Sequence, residues 1–468
     1  MTAILKNSLF ALVFGSCLSL HAQSSVLSSG EWYKFAVDNT GVYRISFDML
    51  KKTGIDPGKT DPRHIKIYGL AGGMLPQPNA IPRATDLIEH AIYVSGEGDG
   101  KFDKGDYVLF YAEGPDQNDF DVSRNVFKYE NNLYSDHNYY FLTVAADAGK
   151  RIATTENIQG SFPLVTSFND FVYHEKDEYN EERSGREWFG EKFGLTPSYA
   201  FSLSLAGITS GSPVKVVSDV MGQSYTETSF RLYLNNTQIA EQKIPAIPNG
   251  RYSIKGLHAR DTISTDANAT NATGRDAQEL KYVFFKGSGF SQGFLDFFLI
   301  NVIRDLALYG DQTVFLSAAS LSNPVSTFEV HNLSQKASIW DVSDIYNVKA
   351  QAFTLTGTTG SFSTSTDALK QWIVFNDRIP EPVFVSRVAN QDLSGMTTPN
   401  LLIITYPDFQ SQALRLAQHR EAFSGWSAAV VTTEEIFNQF SSGRQDVTAL
   451  RDFARLLRDK DPSALRSI

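Results

Sequence analysis

The chain has 468 residues, 42% hydrophobic and 20% charged, with a formal net charge of −10. That length suits two to four domains, and the balance is that of a globular protein, which excludes a disordered chain. No run of Lys and Arg stands out, which argues against nucleic acid as a partner. Aromatics reach 12%, with 20 Tyr and 33 Phe. Such side chains suit half-buried pleated surfaces, so a β-rich body is expected.

Residues 1–22 (MTAILKNSLFALVFGSCLSLHA) place Lys6 before a short apolar core from Leu9 to Leu20. Leu20 and Ala22 stand three and one residues before a cleavage point, so the pattern predicts a secretory signal peptide and an exported protein. The run is too short to span a bilayer, and no later segment is long and apolar enough. The single cysteine, Cys17, lies inside this core, and Phe14-Gly15-Ser16-Cys17 is a poor lipoprotein box. Once the signal is removed, the expected mature chain has no disulfide, no thiolate metal site and no cysteine nucleophile.

In chain order, Glu31–Phe47 predicts a hairpin about Asp38-Asn39-Thr40-Gly41, since Asn and Gly tolerate positive φ. Asp48 is placed to cap a short helix running to Lys52. His64–Tyr68, Glu89–Val94, Tyr107–Ala112 and Tyr139–Val144 predict strands. Phe168–Phe193 is too charged for a strand and too aromatic for a linker, and reads as an ordered connector. Period-two alternation over Tyr199–Ser320, with turns at Asn235-Asn236, Pro248-Asn249-Gly250 and Gly287-Ser288-Gly289, predicts a β-sandwich. Further strands are expected between Val325 and Phe375. Trp32, Trp188, Trp340 and Trp372 are expected in cores or at domain interfaces.

From Asn400 the period changes. Leu401–Thr405 predicts a parallel strand buried on both faces. Phe409, Ala413, Leu416 and Ala417 follow helical spacing, with Asp408 as a candidate cap. Ala428–Val431 predicts a second strand, and Asp446 caps a helix carrying Leu450, Phe453, Leu456 and Leu457. The expected fold class is therefore mixed: a small β-rich domain and a β-sandwich, followed by the first half of an α/β domain. The divisions are a signal peptide (1–22), a small β domain (23–150), a connector (151–197), a β-sandwich region (198–385) and an α/β start (386–468). An open α/β sheet carries its chemistry at the carboxyl ends of successive strands.

Ser95–Asp106 (SGEGDGKFDKGD) is the best local ligand candidate. Aligned to a twelve-residue calcium loop it offers Glu97, Asp99, Asp103 and Asp106 at alternating positions that could converge on calcium. Ser stands at the first position, Asp replaces the final bidentate Glu, and strands flank the loop. An acidic hairpin loop shaped by Asp and Gly fits the same residues. His174-Glu175 with Asp177 and Glu178 lacks a second His at i+4 and reads as a solvated, salt-bridged cluster. There is no G-x-S-x-G elbow, and Leu70-Ala71-Gly72-Gly73 is no phosphate loop. On residues alone, a non-enzymatic surface or adhesion module stays open beside an enzyme.

LLIITYPDF (401–409), HREAFSGW (419–426) and AAVVTTEEIFNQFSSGRQDVTALRDF (428–453) resemble the start of the catalytic domain of gingipain-type cysteine peptidases. Within that family they are most similar to the type IX secretion sortases of Bacteroidota. GEWYKFAVDNTGVYRISFDML (30–50), GEGDGKFDKGDYVLFYAEGP (96–115), YSDHNYYFLTV (134–144) and VANQDLSG (388–395) agree with this. The resemblance implies a thiol enzyme with a caspase-like sheet, held at the outer membrane or cell surface of a Gram-negative bacterium. It implies cargo proteins with C-terminal sorting domains, outer-membrane secretion partners and lipopolysaccharide as acceptor. A purely hydrolytic peptidase is the alternative within the family. The family's catalytic His and Cys sit on later strands, and no residue here matches either, so the chain by itself is expected to be inert. His419 is on a helix and reads as a surface histidine.

Overall fold

A computed structural model describes residues 24–468 except 182, 184, 186 and 288. The predicted signal peptide and Cys17 lie outside the described residues.

The first β unit is two facing sheets. Trp32–Val37 is buried at all six positions and lies between Asn138–Val144 and Val383–Val388 in a five-stranded sheet completed by Ile65–Gly69 and Ile88–His90. Gly41–Ser46 pairs instead with Tyr107–Ala112, which also pairs with Tyr93–Val94. The predicted hairpin is therefore not formed. The chain does reverse at Asp38–Thr40, where the Tyr43 hydroxyl donates to the Asn39 carbonyl at 2.9 Å. The two strands then enter opposite sheets, because Tyr33, Phe35 and Val37 must face Tyr43, Ile45 and Phe110 across one core. Side-by-side pairing would leave those faces without a partner. Likewise Glu89–Val94 is split, with Ile88–His90 in one sheet and Tyr93–Val94 in the other. Helix α1 (Phe47–Thr53) is capped by Ser46, whose hydroxyl accepts from the Met49 amide, and not by Asp48, which lies in the first turn.

A ten-stranded sheet forms the middle of the molecule. Ser167–Glu175, from the segment read as too charged for a strand, is central to it and pairs along its length with Gln292–Asp305. Its polar side chains find partners on other segments. Asp170 meets Arg304 at 2.5 Å and His174 meets Glu191 at 3.1 Å. One face packs on the sheet formed by Ser198–Ser204, Ala277–Phe285, Thr228–Leu234 and Thr237–Ile244. Val214, Val216, Phe298 and Ile300 meet Phe230, Leu232 and Tyr282 there, giving the expected sandwich. The opposite face is covered by the hairpin of Gln117–Asp121 and Val126–Glu130, through Phe127, Phe171, Val217 and Leu299. Trp32, Trp340 and Trp372 are buried, whereas Trp188 is 38% exposed.

The α/β unit begins with Leu401–Thr405 paired in parallel with Ala428–Thr432. Helix α2 (Gln410–Ser424) packs on one face, and α3 (Thr433–Phe440) and α4 (Val447–Lys460) form a core with Leu402 and Val431 on the other. Ser467 bridges to Leu401 on the outer side, so a third parallel position adjoins the first strand. In the first strand only Leu402 is fully buried, and the expected two-faced burial is not met. A sheet this narrow leaves its flanks open. Helix α2 contacts it through Ala413 and Ala417, while Phe409, Leu414 and Leu416 stay exposed. Asp408 does not cap α2, whose N-cap is Phe409 with no side-chain bond. Asp446 does cap α4, accepting from the Thr448 amide at 2.8 Å.

Candidate functional site

The carboxyl ends of the parallel strands are the place where an open α/β sheet gathers its chemistry. Here they carry Thr405-Tyr406-Pro407-Asp408-Phe409 and Thr432-Thr433-Glu434-Glu435. Tyr406 and Phe409 are 59% and 60% exposed, with ring centroids 6.5 Å apart. Thr432 and Glu435 form a capping box that fixes the start of α3. His419 lies mid-helix in α2, exposed and stacked on Phe423. No nucleophile and base meet at these ends among the described residues.

The segment that carries the strongest sequence signal, NQFSSGRQDVTALRDF, has a different task. Its polar side chains are buried against the first β unit. Lys34 Nζ donates to Asn438 Oδ1 at 3.0 Å and to the Gly443 carbonyl at 3.4 Å, and sits 4.3 Å above the Tyr139 ring. Burial lowers this ammonium to about 8. The Ser442 hydroxyl donates to the Tyr139 carbonyl at 2.7 Å and accepts from the Leu70 amide at 3.1 Å. Arg444 is 1% exposed and donates to Asn138 Oδ1. Asp446 Oδ2 accepts from the Leu75 amide at 2.6 Å, and Arg83 pairs with Asp452 at 3.1 Å with both side chains buried. Gly443 has φ +83°, and a Cβ there would lie 2.5 Å from Lys34 Cε, so the turn admits only glycine without displacement. A buried polar network of this kind fixes one docking geometry. It holds the α/β unit on the first β unit.

The loop offered for calcium is a hairpin connection between Tyr93–Val94 and Tyr107–Ala112. Glu97 pairs with Arg151 at 2.7 Å, Asp99 Oδ1 accepts from the Lys101 amide, and Asp106 Oδ2 accepts from the Asp103 amide. The structure thus gives three of these carboxylates local partners. His174 and Glu175 point apart: His174 goes to Glu191, while Glu175 accepts from Asn131 and from the Tyr173 hydroxyl.

Among the described residues, Asp219, His258 and Asp296 bring three ligand atoms within 4.8 Å of one another. They come from three adjacent strands of the large sheet. Asp219 pairs with Phe297 and Val220 with Leu295, so Asp296 is the extra residue of a β-bulge, a device that re-aims a side chain. His258 Nδ1 is 2.8 Å from Asp219 and Nε2 is 3.4 Å from Glu187. The hydrogen bond to Asp219 raises the imidazole pKa and favours the doubly protonated ring. Burial, with Asp219 and Glu175 nearby, pushes the Asp296 carboxyl up to about 7. These residues can share protons, and a cation would bind only by displacing the second imidazole proton. Sequence reasoning missed them, because Asp219, His258 and Asp296 sit on separate strands with no motif spacing.

Residues 395–468 match the family model of peptidase family C25. No curated protein matches the chain. Among solved structures, dimeric latent PorU from Porphyromonas gingivalis is similar, with a TM-score of 0.80 at 24% identity, over 93% of this chain and 40% of that one. The chain therefore spans less than half the length of that relative. A carbohydrate-binding module, CBM36, in complex with calcium and xylotriose has a TM-score of 0.18 at 8% identity, over 29% of this chain and 98% of that one. The CBM36-1 domain of a multidomain xylanase from the hindgut metagenome of Trinervitermes trinervoides gives 0.19 at 9% identity, over 28% and 95%. Such scores carry no argument. The chain thus has a PorU-like fold, and its α/β residues from 395 onward match the gingipain-type peptidases of family C25.

Proposed function

We propose that this chain is the N-terminal portion of an exported, cell-surface cysteine peptidase of gingipain type, acting as a sortase of type IX secretion. The observation that carries the reading is the match to peptidase family C25 over residues 395–468, on an α/β unit docked to a PorU-like β body. In the whole enzyme a cysteine thiolate, supplied by sequence that follows residue 468, attacks the carbonyl that joins cargo to its C-terminal sorting domain. The C–N bond breaks, and a histidine passes its proton to the departing amine. A lipopolysaccharide amine then attacks the thioester, forms an amide and releases the thiolate. Water in place of the amine would give plain hydrolysis. The contribution of residues 24–468 is to position the α/β unit and to bind partners.

The test uses the full-length gene product. A thiol-directed peptide probe should label it, and should not label residues 24–468 alone. Labelling of the shorter chain, or a full gene without Cys and His after residue 468, would overturn the reading. An amine acceptor should appear in the cargo product. Only hydrolysed cargo would leave a gingipain-like protease and exclude a sortase.

A further inference from the structure

The Gln117–Asp121 and Val126–Glu130 hairpin roofs a groove of about 580 Å³ over the large sheet, a volume within the range of binding clefts. Four cationic residues line it (Arg124, Lys128, Lys215 and Arg260) and no acidic residue does. In a chain of net charge −10 this is a local inversion of charge. Arg124 and Lys128 share Asp121, at 4.0 and 3.1 Å. Lys215 donates to the Arg124 carbonyl, and Arg260 lies 4.8 Å from the Phe297 ring centroid. Among the described residues no carboxylate pairs with Lys215 or Arg260. Asp219, the register partner of Arg260, is engaged by His258.

The register sets the spacing of these two charges. Lys215 lies opposite Ser264, Val217 opposite Thr262 and Leu299, and Asp219 opposite Arg260 and Phe297. Lys215 and Arg260 are thus four residues apart along the strand direction, about 13 Å at ~3.3 Å per residue. Between them lies the half-buried side chain of Val217, beside Thr262 on the strand that carries Arg260. An extended peptide has the same period: side chains i and i+4 point the same way about 13 Å apart, with i+2 between them. We propose that this groove binds an extended acidic peptide with two carboxylates four residues apart and an apolar side chain midway. The site is independent of the peptidase chemistry.

The test is fluorescence polarisation with labelled EAVAE and QAVAQ peptides on the chain as it stands, at low salt. EAVAE should bind at least tenfold more tightly than QAVAQ and weaken as salt rises. The Lys215→Glu/Arg260→Glu double variant should lose EAVAE binding at least tenfold and bind a KAVAK peptide instead, which shows that the variant is folded. Equal binding of EAVAE and QAVAQ, or EAVAE binding unchanged in the double variant, would overturn the proposal. So would tighter binding of an oligogalacturonate, which would assign the groove to an acidic glycan.

Discussion

Replacing Asp446 separates two roles that one carboxylate performs. Its Oδ1 caps α4 through the Thr448 amide, and its Oδ2 accepts from the Leu75 amide in the first β unit at 2.6 Å. Asp446 is fully buried and Leu75 is 8% exposed, so water cannot replace the second bond. Loss of a cap costs about 1 kcal/mol, and an orphaned buried amide costs about 1–3 kcal/mol. Asp446→Ala should therefore destabilise by about 2–4 kcal/mol. Asp446→Ser keeps a capping hydroxyl and should cost only the second part, about 1–3 kcal/mol. Urea unfolding followed by tryptophan fluorescence reads the midpoint at constant slope, and hydrogen exchange reads the Leu75 amide directly. If the serine variant unfolds like the parent and Leu75 stays protected, the interdomain bond contributes nothing and the docking argument fails.

Other substitutions probe the same architecture. Phe453→Ala removes a fully buried ring that packs on Phe440 and should cost about 3–5 kcal/mol in chemical denaturation. Gly443→Ala forces a side chain onto Lys34 at positive φ. It should destabilise by about 1–3 kcal/mol and raise proteolysis at the 438–446 segment, whereas an unchanged midpoint would refute the steric reading. Asp296 has its folded pKa raised to about 7 from an unfolded value near ~3.9. The stability it confers is present below the unfolded value and is lost as pH rises through about 7. Asp296→Asn should flatten the fall in stability between about pH 4 and pH 7. An identical pH profile in parent and variant would show that this carboxyl is not the titrating group.

Residues close in sequence made much of this protein legible. Apolar, aromatic-rich runs announced the strands at Tyr107–Ala112 and Tyr139–Val144, the change of period at Asn400 announced the α/β unit, and Asp446 announced its own helix. Each depends on side chains within one turn or one pleat of each other. The tertiary structure decided which strands pair. Trp32–Val37 and Gly41–Ser46 look like a hairpin in sequence, but backbone hydrogen bonds carry no residue identity, and only packing sends them to opposite sheets. Charge misled for the same reason. Asp170 is acceptable inside a strand because Arg304 lies beside it, 134 residues away. The Asn438–Asp452 segment was visible as a family signature, yet its work of docking could be read only once Lys34, Asn138 and Leu75 were seen against it. Asp219, His258 and Asp296, and the cations of the groove, are brought together by strand register, a long-range property that no local pattern encodes.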